Sequence, residues 1–256
     1  MEKVNILGVP FCVLTQSEAI QTLYEKLDER SNFVVVTPNP EGVMQARRNV
    51  EFDGALLNAD MQLADGVGIL FASILLGCRL PMRVRGIDTT FGLLDCIEKT
   101  DRPSTAFFLG GKPASGGLPS VAEAAAKNME ARYKNLNVVG HSHGYYTESE
   151  EKGIVERISE ASPDILLVCL GMPKAELFCH RNRKMNVGIT LCVGGTIDIM
   201  AGSARLAPPF MRKLGLEWLY RLMREPKRFV RMLDLPKFLM VTLGDMLIRK
   251  FVKEKK

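Results

Sequence analysis

The apolar segment MQLA runs into ADGVGI, Ala64 to Ile69, and puts a carboxylate, Asp65, at the end of a predicted strand, where packing has little use for a charge. A single carboxylate so placed suits a general base, which takes a proton from a hydroxyl as that oxygen attacks. An N-cap for a helix starting near Gly68 accounts for the same residue. TPNPEGV, Thr37 to Val43, ends another strand with a hydroxyl, an amide and two prolines that stiffen the loop. Thr37 and Asn39 could read sugar hydroxyls or an acetamido group, or they could serve the turn and cap a helix. In RLPMRVRGID, Arg79, Arg83 and Arg85 stand in a loop, where they could neutralise a diphosphate or simply be solvated.

Three strands end in glycine: FFLGGKP with Gly110 and Gly111, VCLGMPK with Gly171, and CVGGTID with Gly194 and Gly195. Glycine lets backbone N–H groups approach an anion closely, and a helix N-terminus that follows adds a favourable dipole. Three such loops in one sheet point to a phosphate-bearing ligand, plausibly a nucleotide, although each loop alone could be a simple chain turn. GVGILF, Gly66 to Phe71, has Phe71 where the dinucleotide fingerprint needs a third glycine, so a Rossmann cofactor site is not expected. His141 and His143 in HSHGYY lack a third ligand at zinc spacing, and no Asp-x-Asp occurs. The expectation is chemistry without a metal or other cofactor, with arginines and backbone dipoles stabilising a diphosphate leaving group.

These loops need strands to carry them. NFVVVT (32–37), STAFFLGG (104–111), LNVVGH (136–141), DILLVCLG (164–171) and GITLCVGG (188–195) are short β-branched runs. Between them, SEAIQTLYEKLDER, SVAEAAAKNMEARYK and SEEKGIVERISE have apolar residues at helical spacing. The alternation predicts an α/β fold, Rossmann-like, with a largely parallel sheet flanked by helices and ligands beyond the carboxyl ends of its strands. Strand signals stop near Ala207-Pro208-Pro209, which divides the chain into a catalytic domain over 1–200 and a helical, basic C-terminal appendage over 201–256.

Charge follows the same division. The chain's net +5 resolves into 14 Lys/Arg against 5 Asp/Glu from Arg205 onward, a net of +9, and a net of −4 before it. A basic tail implies a polyanionic partner, either an anionic membrane surface or nucleic acid. The six cysteines are scattered without a CxxC pair, as for buried thiols in a reducing compartment. The start MEKVNILGVPF reads as no signal peptide, and FLMVTLGDMLI (238–248) is too short and too interrupted to span a bilayer. The expected location is cytoplasmic and peripheral at the inner face of the membrane.

Taken in order, TPNPEGV, ADGVGI, the Arg83–Asp88 run RVRGID, FFLGGKP, GHSHGYY, LGMPKAE, CVGGTIDIMAG and GLEWLYRLMREPKR resemble the bacterial glycosyltransferases related to TagA, WecG and CpsF, from about Asn5 to Leu239. The resemblance implies transfer of an N-acetylmannosamine-type sugar from a UDP donor to the 4-hydroxyl of N-acetylglucosamine on undecaprenyl diphosphate, with inversion. In the teichoic acid branch this builds the linkage-unit disaccharide. By motif match Asp65 is the base, Arg83 sits by the reacting diphosphate, Thr37 and Asn39 contact substrate, and Glu176 joins the strand-end glycines as substrate-binding. Two positions depart from the family pattern: Ala175 replaces the glutamine of GxPKQE, and Leu206 replaces an arginine before Ala-Pro, with Arg205 one place earlier. Another UDP-sugar donor (an N-acetylmannosaminuronic acid or a hexose) and a catalytically impaired binding homologue stay open beside the main reading.

The resemblance also implies that the appendage packs beside the active site and meets the membrane. Arg221, Arg224, Arg228 and Arg231 are spaced three, four and three apart, one stripe if the helix runs through Pro226. Arginines among Trp218, Tyr220, Met223 and Phe229 suit an interface where cations meet lipid phosphates and apolar side chains dip below them. The same face could instead cover a subunit contact in a homo-oligomer. Nucleic acid is not expected, since it would explain the tail but neither Asp65 nor the glycine loops.

Overall fold

The computed structural model describes residues 1–226 and 229–254. In chain order its elements are β1 (Lys3–Ile6), β2 (Val9–Cys12), α1 (Gln16–Lys26), β3 (Phe33–Val36), α2 (Pro40–Ala46), α3 (Val50–Leu57), β4 (Met61–Gln62), α4 (Val67–Leu75), α5 (Gly86–Lys99), β5 (Ser104–Gly110), α6 (Val121–Arg132), β6 (Leu136–Ser142), α7 (Glu148–Ala161), β7 (Ile165–Cys169), α8 (Lys174–Arg181), β8 (Ile189–Cys192) and α9 (Thr196–Met200). The basic segment continues as α10 (Pro209–Lys213), α11 (Glu217–Arg224), α12 (Phe229–Met232) and α13 (Asp234–Glu254).

β4-β3-β8-β7-β5-β6 is one parallel six-stranded sheet, and β1 and β2 form a separate antiparallel hairpin. Central strands are apolar on both faces because both are covered: every residue of β3, β7 and β8 is buried. Val34 and Val36 pack with the hairpin's Ile6 and Phe11, with Val43 of α2, Phe52 of α3, Ile69 of α4 and Phe178 of α8. Phe33 and Val35 point the other way, to Leu23 of α1, Leu93 of α5, Ala122 of α6 and Ile197 of α9. The result is the helix–sheet–helix layering expected of the alternating pattern.

Local chemistry sets the helix starts. Thr15 and Glu18 close a capping box on α1, Thr147 and Glu150 do the same for α7, and Ser120 caps α6. Gln62, fully buried in β4, is tolerated because its amide donates to the carbonyls of Leu56 and Ala59 at 2.8 Å each.

The helix α13 lies against α2 and α4. Its Phe238, 4% exposed, enters the core cluster on that side, a burial worth roughly 2–3 kcal/mol. Among the described residues no helix is long and apolar enough to cross a membrane.

Candidate active site at the strand ends

Neighbouring strands β4, β3 and β8 deliver their carboxyl ends side by side. Thr37 follows β3 directly, and its hydroxyl donates to the carbonyl of Cys192 at the end of β8, 3.0 Å away. Asp65 lies three residues beyond β4. The chain from Arg79 to Arg85 then returns alongside, with Val84 N–H donating to the Ala64 carbonyl at 3.1 Å, so that Arg83 is laid next to the carboxylate. Arg83 Nε stands 3.5 Å from Asp65 Oδ1, and the N–H of Gly86, first residue of α5, stands 3.5 Å from Oδ2. A carboxylate at the start of a 14-residue helix is favoured by the helix dipole.

Gly86 is where these parts interlock. A methyl group there would come within 2.9 Å of Thr37 Cγ2 and 3.1 Å of Val193 Cγ1. Asp65, Arg83, Thr37 and the end of β8 therefore form one compact corner, built from segments that are far apart in sequence.

The appendage closes over this corner. Gly215 takes a positive φ of 70°, and a Cβ there would lie 2.4 Å from Val67 Cγ1 of α4, so the turn into α11 is pressed onto the helix that follows Asp65. Two residues on, Glu217 receives Arg83 in a fork, Nη1 to Oε2 at 2.5 Å and Nη2 to Oε1 at 2.8 Å, and Arg85 Nη1 reaches Oε1 at 3.0 Å. Arg85 also pairs with Asp88, its Nε donating to Oδ2. Burial works against the charge of Glu217, but the hydrogen bonds and charges of Arg83 and Arg85 outweigh it and hold the carboxyl below its ordinary range. Burial likewise opposes the charge on Arg83, and Glu217 and Asp65 together keep it above its usual value.

At the far end of α11 stands Glu225. Burial, then the charge of Glu225, pushes Asp198 of α9 above the ordinary carboxylate range.

Other expected residues fall around this corner with distinct surroundings. Asn39 caps α2, its Oδ1 accepting from the Gly42 N–H at 2.9 Å. At Gly110 and Gly111 an added Cβ would meet the Cys169 carbonyl and Val121 at 2.5 Å each, so packing explains both glycines. Gly171 and Gly194, with φ of 75° and 54°, have open space where a Cβ would go, and Gly195 begins the turn into α9. Glu176 is only 4% exposed, in the first turn of α8. Among the described residues its Oε2 meets no hydrogen-bond partner, and burial pushes its pKa up to about 7. Ala175 is also buried, whereas Leu206 and Arg79 are exposed.

Of the appendage arginines, Arg224 is exposed with its guanidinium 5.9 Å from the centre of the Tyr220 ring, and Arg231 is exposed at the end of α12. Arg228 lies outside the described residues, as does the side chain of Arg221. Sequence reasoning passed over Glu217 and Asp198. The signal available for Glu217 was its sign, an acid in a segment of net +9, immediately before the chain's single tryptophan.

A sequence profile of the glycosyl transferase WecG/TagA/CpsF family matches residues 4–251. Among characterised proteins, the N-acetylglucosaminyldiphosphoundecaprenol N-acetyl-beta-D-mannosaminyltransferase of Bacillus spizizenii is 31% identical, covering 88% of this chain and 83% of its own length. The Bacillus subtilis protein of the same name is 29% identical over 96% of this chain and 93% of its own. That of Staphylococcus aureus strain MW2 is 33% identical over 93% and 91%.

Proposed function

The chain belongs to the glycosyl transferase WecG/TagA/CpsF family, and from that premise we propose that it moves N-acetylmannosamine from a UDP donor to N-acetylglucosamine on undecaprenyl diphosphate, in β-1,4 linkage with inversion and without a metal ion. The product belongs to cell-wall teichoic acid or a related surface polysaccharide. The observation that carries the reading is Asp65, set between the N-terminus of α5 and Arg83 and beside Thr37.

In the reaction, Asp65 takes the proton of the acceptor's 4-hydroxyl. The oxygen bonds to C1 of the donor sugar from the face opposite the nucleotide. The bond from C1 to the diphosphate oxygen breaks, and its electron pair leaves with UDP. One base and one attack give inversion, and UDP leaves readily once its charge is neutralised. Arg83 and Arg85 supply that neutralisation, with backbone N–H groups at the open Gly171 and Gly194 turns and at Gly195. Gly110 and Gly111 shape the neighbouring loop. Thr37 and Asn39 contact the sugars, and Glu176 is a further substrate-binding residue.

The catalytic domain is residues 1–200 and the appendage 201–256. Phe210, Leu214, Met223, Phe229 and Val230 are each more than half exposed along the appendage, beside Arg224 and Arg231. This mixture supports peripheral attachment at the inner face of the cell membrane, at roughly 1 kcal/mol per basic residue near an anionic surface. With the lipid acceptor confined to the bilayer, Arg221, Arg224, Arg228 and Arg231 meet lipid and acceptor phosphates. A homo-oligomer would use the same apolar face when the protein is off the membrane.

Ala175 favours a second reading, a different UDP-sugar donor or a binding homologue with impaired turnover, because the family glutamine is missing there. The test is UDP release in EDTA from UDP-N-acetylmannosamine and a short N-acetylglucosamine diphospholipid, for wild type and Asp65→Asn. Acceptor-dependent release that survives EDTA and collapses in the variant supports the proposal; a silent wild type passes it to the second reading.

A further inference from the structure

The corner that should receive a diphosphate is already filled by a carboxylate. Among the described residues it holds two cations, Arg83 and Arg85, and three anions, Asp65, Asp88 and Glu217, each within an ion-pair contact. Within this set of five the carboxylates outnumber the guanidinium groups, so an arriving diphosphate must compete with a carboxylate for them. The fork of Arg83 matches a phosphate as well as it matches a carboxylate, and here Glu217 has taken both of its terminal nitrogens. The carboxylate also comes from the appendage, 134 residues along the chain, and the Gly215 turn against Val67 carries it there.

We propose that Glu217 is a built-in stand-in for the substrate diphosphate, a latch that holds α11 over the strand ends and is displaced from Arg83 and Arg85 when the diphosphate binds. The inference deepens the functional reading above and rests on it for the identity of the anion. Its consequence is that the appendage and the donor compete for one pair of guanidinium groups. Donor binding thereby frees the start of α11, where Trp218 stands next to the latch.

The protein carries its own reporter. Trp218 is the chain's single tryptophan, 39% exposed and adjacent in sequence to Glu217. We would titrate the full chain with UDP and with inorganic pyrophosphate, following Trp218 emission and binding heat, for wild type, Glu217→Gln and Glu217→Asp. Displacement predicts that saturating pyrophosphate changes the wild-type emission. Glu217→Gln should bind pyrophosphate and UDP about tenfold more tightly, or about 1.4 kcal/mol. Its ligand-free emission should already resemble that of the liganded wild type. Glu217→Asp keeps the charge and should stay near wild type.

Equal or weaker binding by Glu217→Gln would overturn the latch and make Glu217 a residue that merely orients Arg83. So would an unchanged Trp218 signal at saturation, an absence of pyrophosphate binding, or equal tightening in Glu217→Asp, which would point to general loosening of α11. The two ideas fail separately. No sugar transfer with competition intact overturns the reaction alone, and transfer by an enzyme whose pyrophosphate affinity ignores Glu217→Gln overturns the latch alone.

Discussion

Arg48, just beyond α2, forks onto Asp234, the first residue of α13, with Nη1 to Oδ1 at 3.0 Å and Nη2 to Oδ2 at 2.6 Å across 186 residues of chain. The pair ties the start of α13 to the end of α2. Hydrogen bonds from Arg48 hold Asp234 below the ordinary carboxylate range, against the opposing effect of burial. A carboxyl depressed in the folded state contributes stability that is present above its unfolded pKa and lost as pH falls through the folded one.

Asp234→Asn should therefore destabilise the protein slightly at neutral pH, and less as the pH falls through the folded pKa. The bidentate geometry argues for a measurable effect, but half of the Arg48 side chain is exposed and solvent screens it, so the loss should be no more than about 1 kcal/mol. Urea unfolding at pH 7 and near pH 3 checks this, and a loss that is the same at both values would mean the pair is not its source.

Asp65→Asn should leave the fold intact and lower turnover by roughly a hundred- to ten-thousandfold, the usual contribution of a positioned base. The amide keeps the side chain's shape and its contact with the Gly86 N–H, so binding of UDP should change little. Steady-state kinetics with calorimetry separates the two, and turnover within a few fold of wild type would remove Asp65 as the base.

Arg83→Lys should cost roughly ten- to hundredfold in kcat/KM, because an ammonium group is a single point charge. It can face Asp65 or a second anion, whereas the guanidinium meets Asp65 through Nε and Glu217 through its terminal nitrogens at once. If lysine restores full activity, charge alone is what the site requires at this position.

Much of the layout was legible because burial writes a plain pattern. Strands covered on both faces read as FVVV, ILLVC and ITLC, and Thr37, Gly171 and Gly194 stand just beyond their ends. The β1–β2 hairpin was not legible. Its turn is Leu7-Gly8 with φ of 54° and 103°, a left-handed pair that is usually announced by Asn-Gly, and Pro10 interrupts its second strand. β4 is two residues long with a buried glutamine, so only the polar break at Asp65 marked it. For Asn39 two readings were open, and the structure shows its oxygen engaged as the cap of α2. Glu217 was out of reach for a different reason. Its partners lie 132 and 134 residues away, and no local spacing records a contact made only when the appendage folds back.

Glu176 sets the most direct test of burial against charge. Enclosed at the start of α8 with one oxygen unpartnered, it has its pKa pushed from 4.5 up to about 7 by burial. The sign follows from proton binding. Between these two values the folded protein holds a proton that the unfolded chain has released, so stability falls as pH rises and the loss is complete above pH 7. The 2.5-unit difference corresponds to roughly 3 kcal/mol as an upper bound. Glu176→Gln keeps the shape and removes the titration, so it should be more stable than wild type at pH 8 and indistinguishable from it near pH 4.5. Chemical denaturation of both proteins across this range gives the answer. A variant that is destabilised at pH 8 would mean that the ionised carboxylate has a partner when charged, and that its place at the start of α8 is held by charge instead of by a proton.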